Sequence, residues 1–205
     1  MDEKTFEKIF ELAKPFLLEG KPEDLMHAQS VLESVKLLAD NKEQLDILIP
    51  FAILHDTGNS FVLPEDFHYI QGKTIVENGK LFHCLAGAKI ASKILTQVNY
   101  DKEKTKEIIE LIKVHDFEDT KLFKTRVWQI AKDADCLDRM NIPRLKGMMK
   151  TRNMTPPQIL DLLKSVKLGF FTKNAIDEFN KRQNEFFNEF SIDKKLMIQP
   201  ENVGL

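Results

Sequence analysis

Hydrophobic residues recur along most of the chain at intervals of three or four positions, the spacing that places side chains on one face of an α-helix. Leu25, Ala28, Leu32 and Val35 follow this spacing, and it returns from Leu81 onward after an interruption. Regular alternation of hydrophobic and polar residues, which would indicate half-buried strands, is nowhere sustained. The pattern therefore predicts an all-α fold.

The predicted helices are marked less clearly toward the C-terminus. Helices are predicted one after another up to about Asp138. Pro50 lies inside the third, where a kink or a restart is expected because proline cannot donate the helical hydrogen bond. Beyond Pro143 the periodicity weakens. A short helix that opens at Pro156 and a longer helix over about 173–190 are predicted there.

The helical pattern is lost between Gly58 and Lys80, a segment with three glycines and one proline. This is long for a loop without secondary structure of its own. Two interpretations stay open: a lid or binding loop, and a surface excursion without a role. His68 lies in this segment and is expected to face solvent.

Composition and charge narrow the class of protein. Of the 205 residues, 42% are hydrophobic and 30% are charged, which is typical of a packed globular protein and not of a disordered one. Lys and Arg (30) nearly balance Asp and Glu (32), so strong nucleic-acid binding is not expected. No stretch approaches the roughly 20 apolar residues of a membrane span. The N-terminal residues lack a signal-peptide pattern. We therefore expect a cytoplasmic protein that does not bind membranes.

The two cysteines give no sign of a disulfide or of a structural zinc site. Cys84 and Cys136 occur in neither a CxxC motif nor a zinc-finger spacing. We expect both to be reduced, as in most cytosolic proteins, and to lie in the core. Each follows directly on a candidate ligand, but helical neighbours point about 100° apart.

Histidines and aspartates are the candidate chemistry of this chain. Those that lie near predicted helix ends or on hydrophobic faces are His27, His55, Asp56, His83, His115, Asp133 and Asp135. A single histidine of this kind is more often a core residue than a ligand. Together the set predicts a metal site between helices, since such groups are costly to bury unpaired. Imidazole and carboxylate donors suit Mn, Fe, Co, Ni or Zn better than Ca, and Mg is also considered.

Three motifs in the order HAQSVLESVKLLA, PFAILHDTG and KDADCLDRM carry these residues. The two first histidines are 28 positions apart (55 − 27), and Asp135 follows Asp56 by 79 (135 − 56). This order and spacing resemble the HD-domain superfamily of metal-dependent phosphohydrolases. The resemblance implies that His27, His55, Asp56 and Asp135 hold a metal. It also implies that Asp56 is catalytic, as a ligand, a bridge and a proton acceptor.

Asp133 and Asp135 compete for the last ligand position. Residues two positions apart on a helix do not share a face, so they cannot both bind one metal. In the resembled family the second aspartate of the DAD triplet is the usual ligand, which favours Asp135.

The resemblance covers roughly residues 20–142. It implies a metal-binding HD helical core over 20–142, with residues 1–19 as an N-terminal helix that packs on it. Residues 143–205 resemble no known family, and we expect a helical extension of the same domain. Many phenylalanines occur in this extension. They are interpreted as the face of a capping helix, and a homodimer contact is the alternative.

His83 and His115 resemble a second pair of family residues, since His83 precedes Gly87-Ala88 in the pattern H-x-x-x-GA. In some branches such a pair completes a second metal site that is bridged by the aspartate of HD. In others it borders the substrate phosphate. The resemblance therefore leaves open whether one ion or two are bound.

Three further residues are candidates for substrate binding. Lys132 and Arg139 flank Asp135 at −3 and +4, where they can neutralise charge on a phosphate. Plain surface charge is the alternative for both. Asn59 lies four residues past His55, where several branches of the family carry a charged residue. Asn59 can orient a water but cannot serve as an acid, so the general acid is left unassigned.

The function that the resemblance implies is hydrolysis of a small phosphate ester by attack of a metal-bound water, with a nucleotide as the first candidate substrate. Two alternatives stay open. The His83 and His115 pair would also suit an HD-type di-iron oxygenase. A non-catalytic ligand-binding HD module is the other, although a complete set of ligands argues against it.

Overall fold

The computed structural model describes residues 3–21, 23–61, 74–166 and 168–204. Regular structure in these ranges is almost entirely helical, so the predicted all-α class is confirmed. None of the helices in these ranges combines the length and the apolar composition that crossing a bilayer requires. How the chain divides into domains stays a prediction.

The described ranges contain nine α-helices and two very short strands. The helices are α1 (Glu3–Glu19), α2 (Asp24–Leu38), α3 (Lys42–Leu54), α4 (Ile75–Gln97), α5 (Lys102–Val114), α6 (Arg126–Leu137), α7 (Ile142–Arg152), α8 (Pro156–Lys164) and α9 (Lys173–Glu189). The strands β1 (Gly169–Phe170) and β2 (Glu201–Asn202) pair in parallel. Turns of 3₁₀ helix occur at Thr57–Phe61, Thr120–Leu122, Asp138–Met140 and Lys194–Leu196.

Helix α4 begins at Ile75, six residues before the helical pattern returns at Leu81 (81 − 75). A capping box explains the earlier start. The Thr74 hydroxyl accepts from the backbone N–H of Glu77, and the Glu77 carboxylate accepts from the N–H of Thr74. The expected irregular segment is therefore shorter than its sequence suggests. Its part over 62–73, with His68, lies outside the described residues, and the lid interpretation stays untested.

Pro50 and Pro143, like Pro15 in α1, are accommodated inside helices instead of ending them. Helix α3 runs without a break through Pro50, so the helix does not restart there. Helix α7 was not predicted, because the hydrophobic periodicity weakens beyond Pro143. Pro143 occupies the first turn of α7, where its missing N–H costs nothing, and the Asn141 side chain caps this turn through the N–H of Arg144.

Helices α1 to α6 pack around a shared hydrophobic core. Helix α2 packs on α3 and α6, α4 packs on α5, and α1 lies against α2, α3 and the turn at Thr57–Phe61. Ile9, Ala13 and Leu17 are the buried residues of α1 and follow the spacing of one helix face. This arrangement brings the C-terminal ends of α3 and α5 to the histidines on α2 and α4.

Phenylalanines of the C-terminal segment are buried within the chain. Phe179, Phe186 and Phe187 on α9 are at most 1% exposed, and the ring centroid of Phe170 lies 5.4 Å from that of Phe179. Helix α9 and β1 both pack on α6. This packing agrees with the interpretation as a capping helix, and the homodimer stays a prediction.

Replacing Phe179 with alanine is expected to lower the free energy of unfolding by about 3–5 kcal/mol, because a fully buried aromatic side chain is lost and a cavity remains. Urea unfolding followed by helical circular dichroism measures the change. Leu37→Ala is the control, since Leu37 is 56% exposed and its loss should cost roughly 0.5 kcal/mol or less. Equal losses in the two variants would contradict the buried position of Phe179.

Candidate metal centre

Four buried histidines from four different helices converge on Asp56. His27 lies on α2 and His83 on α4, whereas His55 and His115 directly follow α3 and α5. Each of the four is less than one-tenth exposed. The Nε2 atom of every ring lies between 3.4 and 3.9 Å from a carboxylate oxygen of Asp56. The structure thus brings together residues that are far apart in the sequence.

A first group is formed by His27, His55, Asp56 and Asp135. The Nε2 atom of His27 lies 2.9 Å from Nε2 of His55 and 3.4 Å from Oδ2 of Asp56. Oδ1 of Asp135, which comes from α6, lies 3.2 Å from Nε2 of His27 and 3.9 Å from Nε2 of His55. Ligands of one first-row metal ion at about 2.0–2.2 Å are roughly 3 Å apart. The first group therefore has the donors and the spacing of a metal site.

A second group is formed by His83, His115 and the other oxygen of Asp56. The two Nε2 atoms of His83 and His115 are 3.3 Å apart, and Oδ1 of Asp56 lies 3.6 and 3.4 Å from them. Asp116 adds a carboxylate oxygen 3.9 Å from Nε2 of His83. Asp56 therefore lies between the groups, with Oδ2 toward the first and Oδ1 toward the second.

The remaining nitrogen of each ring, Nδ1, faces an oxygen acceptor. These acceptors are Asp138 Oδ2 for His27 (2.7 Å) and the backbone oxygens of Ala52 for His55 (3.2 Å), Gly79 for His83 (3.0 Å) and Ile112 for His115 (2.7 Å). Because these oxygens can only accept, each Nδ1 carries a proton and donates it. The Nε2 lone pairs of the neutral rings are then left to face one another and Asp56.

Facing lone pairs and carboxylates need a positive charge between them. Neutral rings would place two acceptor nitrogens 2.9 Å apart in the first group and 3.3 Å apart in the second. Only added protons or a metal cation can relieve this. In the described ranges, His27 with His55 and Asp56, and His83 with Cys84 and His115, bring potential ligand atoms within 4.8 Å of one another. These buried groups could hold a metal ion, and their donors fit one.

The pKa values of the rings also indicate that positive charge is favoured in both groups. Burial lowers the pKa of His27, but its hydrogen bonds to Asp135 and Asp138 outweigh burial and raise the pKa to about 10. Burial likewise opposes protonation of His115, yet nearby Cys84 and Asp56 raise its pKa well above the usual value. Burial lowers the pKa of His55 to about 4. The pKa of His83 is also raised, against the effect of burial, through its contact with Cys84. Three of the four rings are thus held more readily in the protonated form than a free imidazole.

Asp138 supports the first group from behind. Its carboxylate is fully buried, accepts from Nδ1 of His27 and forms an ion pair with Arg144 of α7. Burial raises the pKa of Asp138, but the hydrogen bond from His27 dominates and leaves the pKa lowered. A charged carboxylate behind the imidazole orients the ring and strengthens it as a ligand. Arg144 thereby links α7 to the candidate metal site.

Asp133 and Asp135, two positions apart on α6, lie in different surroundings. Asp135 joins the first group, whereas Asp133 is fully buried and accepts from the backbone N–H groups of Phe171 (2.7 Å) and Thr172 (2.9 Å). Burial raises the pKa of Asp133 to about 6, against the effect of these hydrogen bonds. Asp133 thus anchors the C-terminal segment, and the structure places only Asp135 beside the histidines.

Cys84 contacts the second group, which the sequence did not predict. Its Sγ atom lies 3.6 Å from Nε2 of His83 and 3.5 Å from Nδ1 of His115. Burial raises the pKa of this thiol, but the two imidazoles outweigh burial and lower it to about 6. Cys136 is also buried, and burial raises its pKa to about 11. Of the two thiols, Cys84 is the one that contacts histidines of the candidate site, whereas Cys136 lines the neighbouring cavity.

Glycines let the backbone after Asp56 lie directly on α4. A Cβ atom on Gly58 would lie 1.9 Å from the carbonyl oxygen of His83 and 2.4 Å from the backbone nitrogen of Gly87. A Cβ atom on Gly87 would lie 2.9 Å from the carbonyl oxygen of His55. Any larger residue would force the two segments apart. This contact sets the distance between Asp56 and His83.

A cavity of about 430 Å³ borders the candidate site, with Asp116 and Asp135 among its lining residues. Lys132 and Arg139, predicted to bind substrate, also line it. The Nζ atom of Lys132 donates to the carbonyl oxygen of His115 (2.5 Å) and lies 4.0 Å from Oδ2 of Asp135. Positive charge is therefore placed beside the carboxylates, where a phosphate would need it.

Asn59 is placed apart from this cavity. It lies in the turn Thr57–Phe61, near Gly20 and Asp24, and is not among the lining residues of the cavity. Its role in substrate binding stays a prediction. Sequence reasoning missed Asp116, Cys84 and Asp138. Asp138 was visible as the last aspartate of KDADCLDRM, but nothing in that motif marks it as the partner of His27.

Comparison with known proteins does not place this chain in a family. No family model matches it, and neither a curated protein nor a solved structure similar to it was found. The candidate site therefore rests on the geometry of its own residues. The resemblance to HD motifs rests on the three sequence motifs and on the meeting of their residues around Asp56.

Asp138→Asn is expected to weaken metal binding about 10- to 100-fold, because His27 loses the charged group that orients it. Competition with a fluorescent chelator measures the dissociation constant. Asp161→Asn provides a control, since Asp161 is an exposed aspartate on α8. An unchanged metal affinity in the Asp138 variant, at preserved helical content, would argue against the supporting role of this carboxylate.

Proposed function

We propose that this chain is a metal-dependent phosphohydrolase of the HD type that hydrolyses a small phosphate ester. The observation that supports this most directly is the position of Asp56, whose two oxygens face two separate pairs of imidazole nitrogens. Such an arrangement suits two divalent ions that share one carboxylate. Two-metal sites of this kind serve hydrolysis of phosphate esters in many enzymes.

Each of the two groups would supply the ligands of one ion. His27, His55, Asp56 and Asp135 would hold one ion. His83 and His115, with Asp56, would hold a second. Imidazole and carboxylate donors favour Mn, Fe, Co, Ni or Zn over the purely oxygen-bound Ca. When bound, the ions supply Lewis acidity, which polarises a phosphoryl oxygen and lowers the pKa of water toward neutrality.

The chain's own residues complete the site. Lys132 lies between the carbonyl of His115 and the carboxylate of Asp135, so its ammonium group can neutralise negative charge on a bound phosphate. Arg139 lines the same cavity and can contact another phosphate oxygen. Asp56, positioned between the two groups, couples the metal sites electrostatically. The low exposure of the four histidines keeps bulk water from the ligand side of the site.

A di-iron oxygenase is the second candidate, because the pair His83 and His115 supplies the nitrogen donors that a second iron needs. The cavity beside the site favours the hydrolase. It carries Lys132 and Arg139 beside the candidate site, and these side chains suit a phosphate, whereas oxidation of an uncharged carbon has no use for them. The third cation, Lys80, is paired with Glu118 (3.4 Å). Oxygen consumption by the iron-loaded protein, without phosphate release, would favour the oxygenase.

The protein purified without chelators is expected to contain close to two divalent ions per chain, one for each group. His83→Ala should lower the content to about one, because only the second group loses a ligand. Elemental analysis by plasma mass spectrometry gives the ratio. Asp161→Asn again serves as the control. A chain without metal under any loading condition would indicate a non-catalytic module.

Phosphate release from a panel of phosphate esters with Mn, Co, Ni, Mg and Fe tests the reaction itself. Asp56→Ala is expected to lower kcat/KM at least about 1,000-fold, because both groups lose the shared carboxylate. Removal of metal with EDTA should abolish release, and metal addition should restore it. Asp56→Ala protein that kept its turnover would overturn the proposed function.

A further inference from the structure

The cavity beside the candidate metal site is lined by two kinds of side chain. Asp135 and Lys132 represent the polar kind, and the aromatic rings of Phe117, Phe123 and Phe171 represent the other. Its volume of about 430 Å³ falls within the range of roughly 300–1,000 Å³ that is typical of small-molecule sites. A ligand that fills it must therefore present both charge and an apolar surface.

The aromatic part lies within a short distance of the phosphate-binding part. Lys132 Nζ lies 4.0 Å from Oδ2 of Asp135 and 5.6 Å from the ring centroid of Phe123. The ring centroids of Phe123 and Phe171 are in turn 5.6 Å apart, with their planes tilted by 50°. A series of neighbouring side chains thus leads from the candidate metal site to an aromatic pair, in the order Asp135, Lys132, Phe123 and Phe171. The series is about as long as one small molecule.

Phe171 belongs to the C-terminal segment, and the fold holds it in position at several points. Asp133 accepts from its backbone N–H and from that of Thr172, which caps α9. The strand β1, which directly precedes Phe171, pairs with β2, and the N–H of Val203 donates to the carbonyl oxygen of Phe170 (2.8 Å). Val203 also lines the cavity. The wall is therefore built from residues 168–172 and 201–204 together.

We infer that this wall is a specificity-determining subsite, and that the substrate is a phosphate monoester whose alcohol carries a planar ring that packs on Phe171. The inference rests on the proposed function for the position of the phosphate. The rings of Phe123 and Phe171 contact each other, and Phe123 is buried, so Phe171 offers the ring face on which a substrate ring can pack. Stacking on this face does not require hydrogen-bonding groups. The buried carboxylate of Asp133 acts as a positioning residue for the wall.

The test compares nucleoside 5′-monophosphates with ribose 5-phosphate, which has the same phosphorylated alcohol and lacks the base. The wild-type protein should hydrolyse at least one nucleotide with a higher kcat/KM than ribose 5-phosphate. Phe171→Ala should lower this preference about ten-fold, mainly through KM, as expected for loss of one ring contact. Val203→Ala, directly after β2, should lower it in the same direction.

Phe190→Ala is the matched control, because Phe190 is a half-buried phenylalanine of the same C-terminal segment and does not line the cavity. The preference should be unchanged in this variant. A preference that is equal in wild-type and Phe171→Ala protein, with phosphate still released, would overturn the subsite and leave the proposed function intact. Absence of phosphate release from every ester and metal would instead overturn the proposed function.

Asp133→Asn tests the positioning role with a second readout. The N–H groups of Phe171 and Thr172 donate to different oxygens of Asp133, and an amide replaces one of these oxygens by an NH2 group that cannot accept. At least one of the two N–H groups should therefore exchange with solvent faster. The nucleotide preference should fall as well, while metal content stays unchanged. Unaltered exchange at these two amides, together with an unaltered preference, would show that Asp133 does not hold the wall.

Discussion

Four imidazoles share the two oxygens of one carboxylate, and the demand for positive charge between them is the constraint on which this structure depends. Each Nδ1 already donates to an oxygen acceptor, so the Nε2 lone pairs face one another and the carboxylate of Asp56. Burying such a set is costly unless a cation compensates it. The helices that carry these residues also bury an extensive hydrophobic core, which supplies the free energy to hold the polar groups in place.

Much of the helical fold and most of the candidate site could be predicted from the sequence, because both are encoded by short-range patterns. The period of α2 or α5 is visible in a dozen residues, and the three histidine and aspartate motifs mark residues that meet around Asp56. The contacts that could not be predicted join distant positions. Nothing local in KDADCLDRM shows that Asp133 binds residues 171 and 172, or that Asp138 supports His27.

Errors in the predicted helices have a different origin. The start of α4 is set by hydrogen bonds between Thr74 and Glu77, which extend the helix into residues that carry no clear hydrophobic periodicity. Helix α7 carries Pro143 in its first turn and lies where the hydrophobic periodicity weakens. Capping chemistry decided both cases, and hydrophobic spacing alone does not reveal it. The strands β1 and β2 pair over two residues each and lie about thirty residues apart in the chain. Strands of this length are too short to show an alternating pattern in the sequence.

The close approach of Gly58 to α4 has a consequence for how such a site can change over evolution. The separation between the two halves of the site is fixed by main chain lying on main chain, and no side chain takes part in that contact. Substitutions among the candidate ligands could then change one group of donor atoms without moving the other group. A scaffold of this kind can exchange one chemistry for another through single replacements, as long as the two glycines persist.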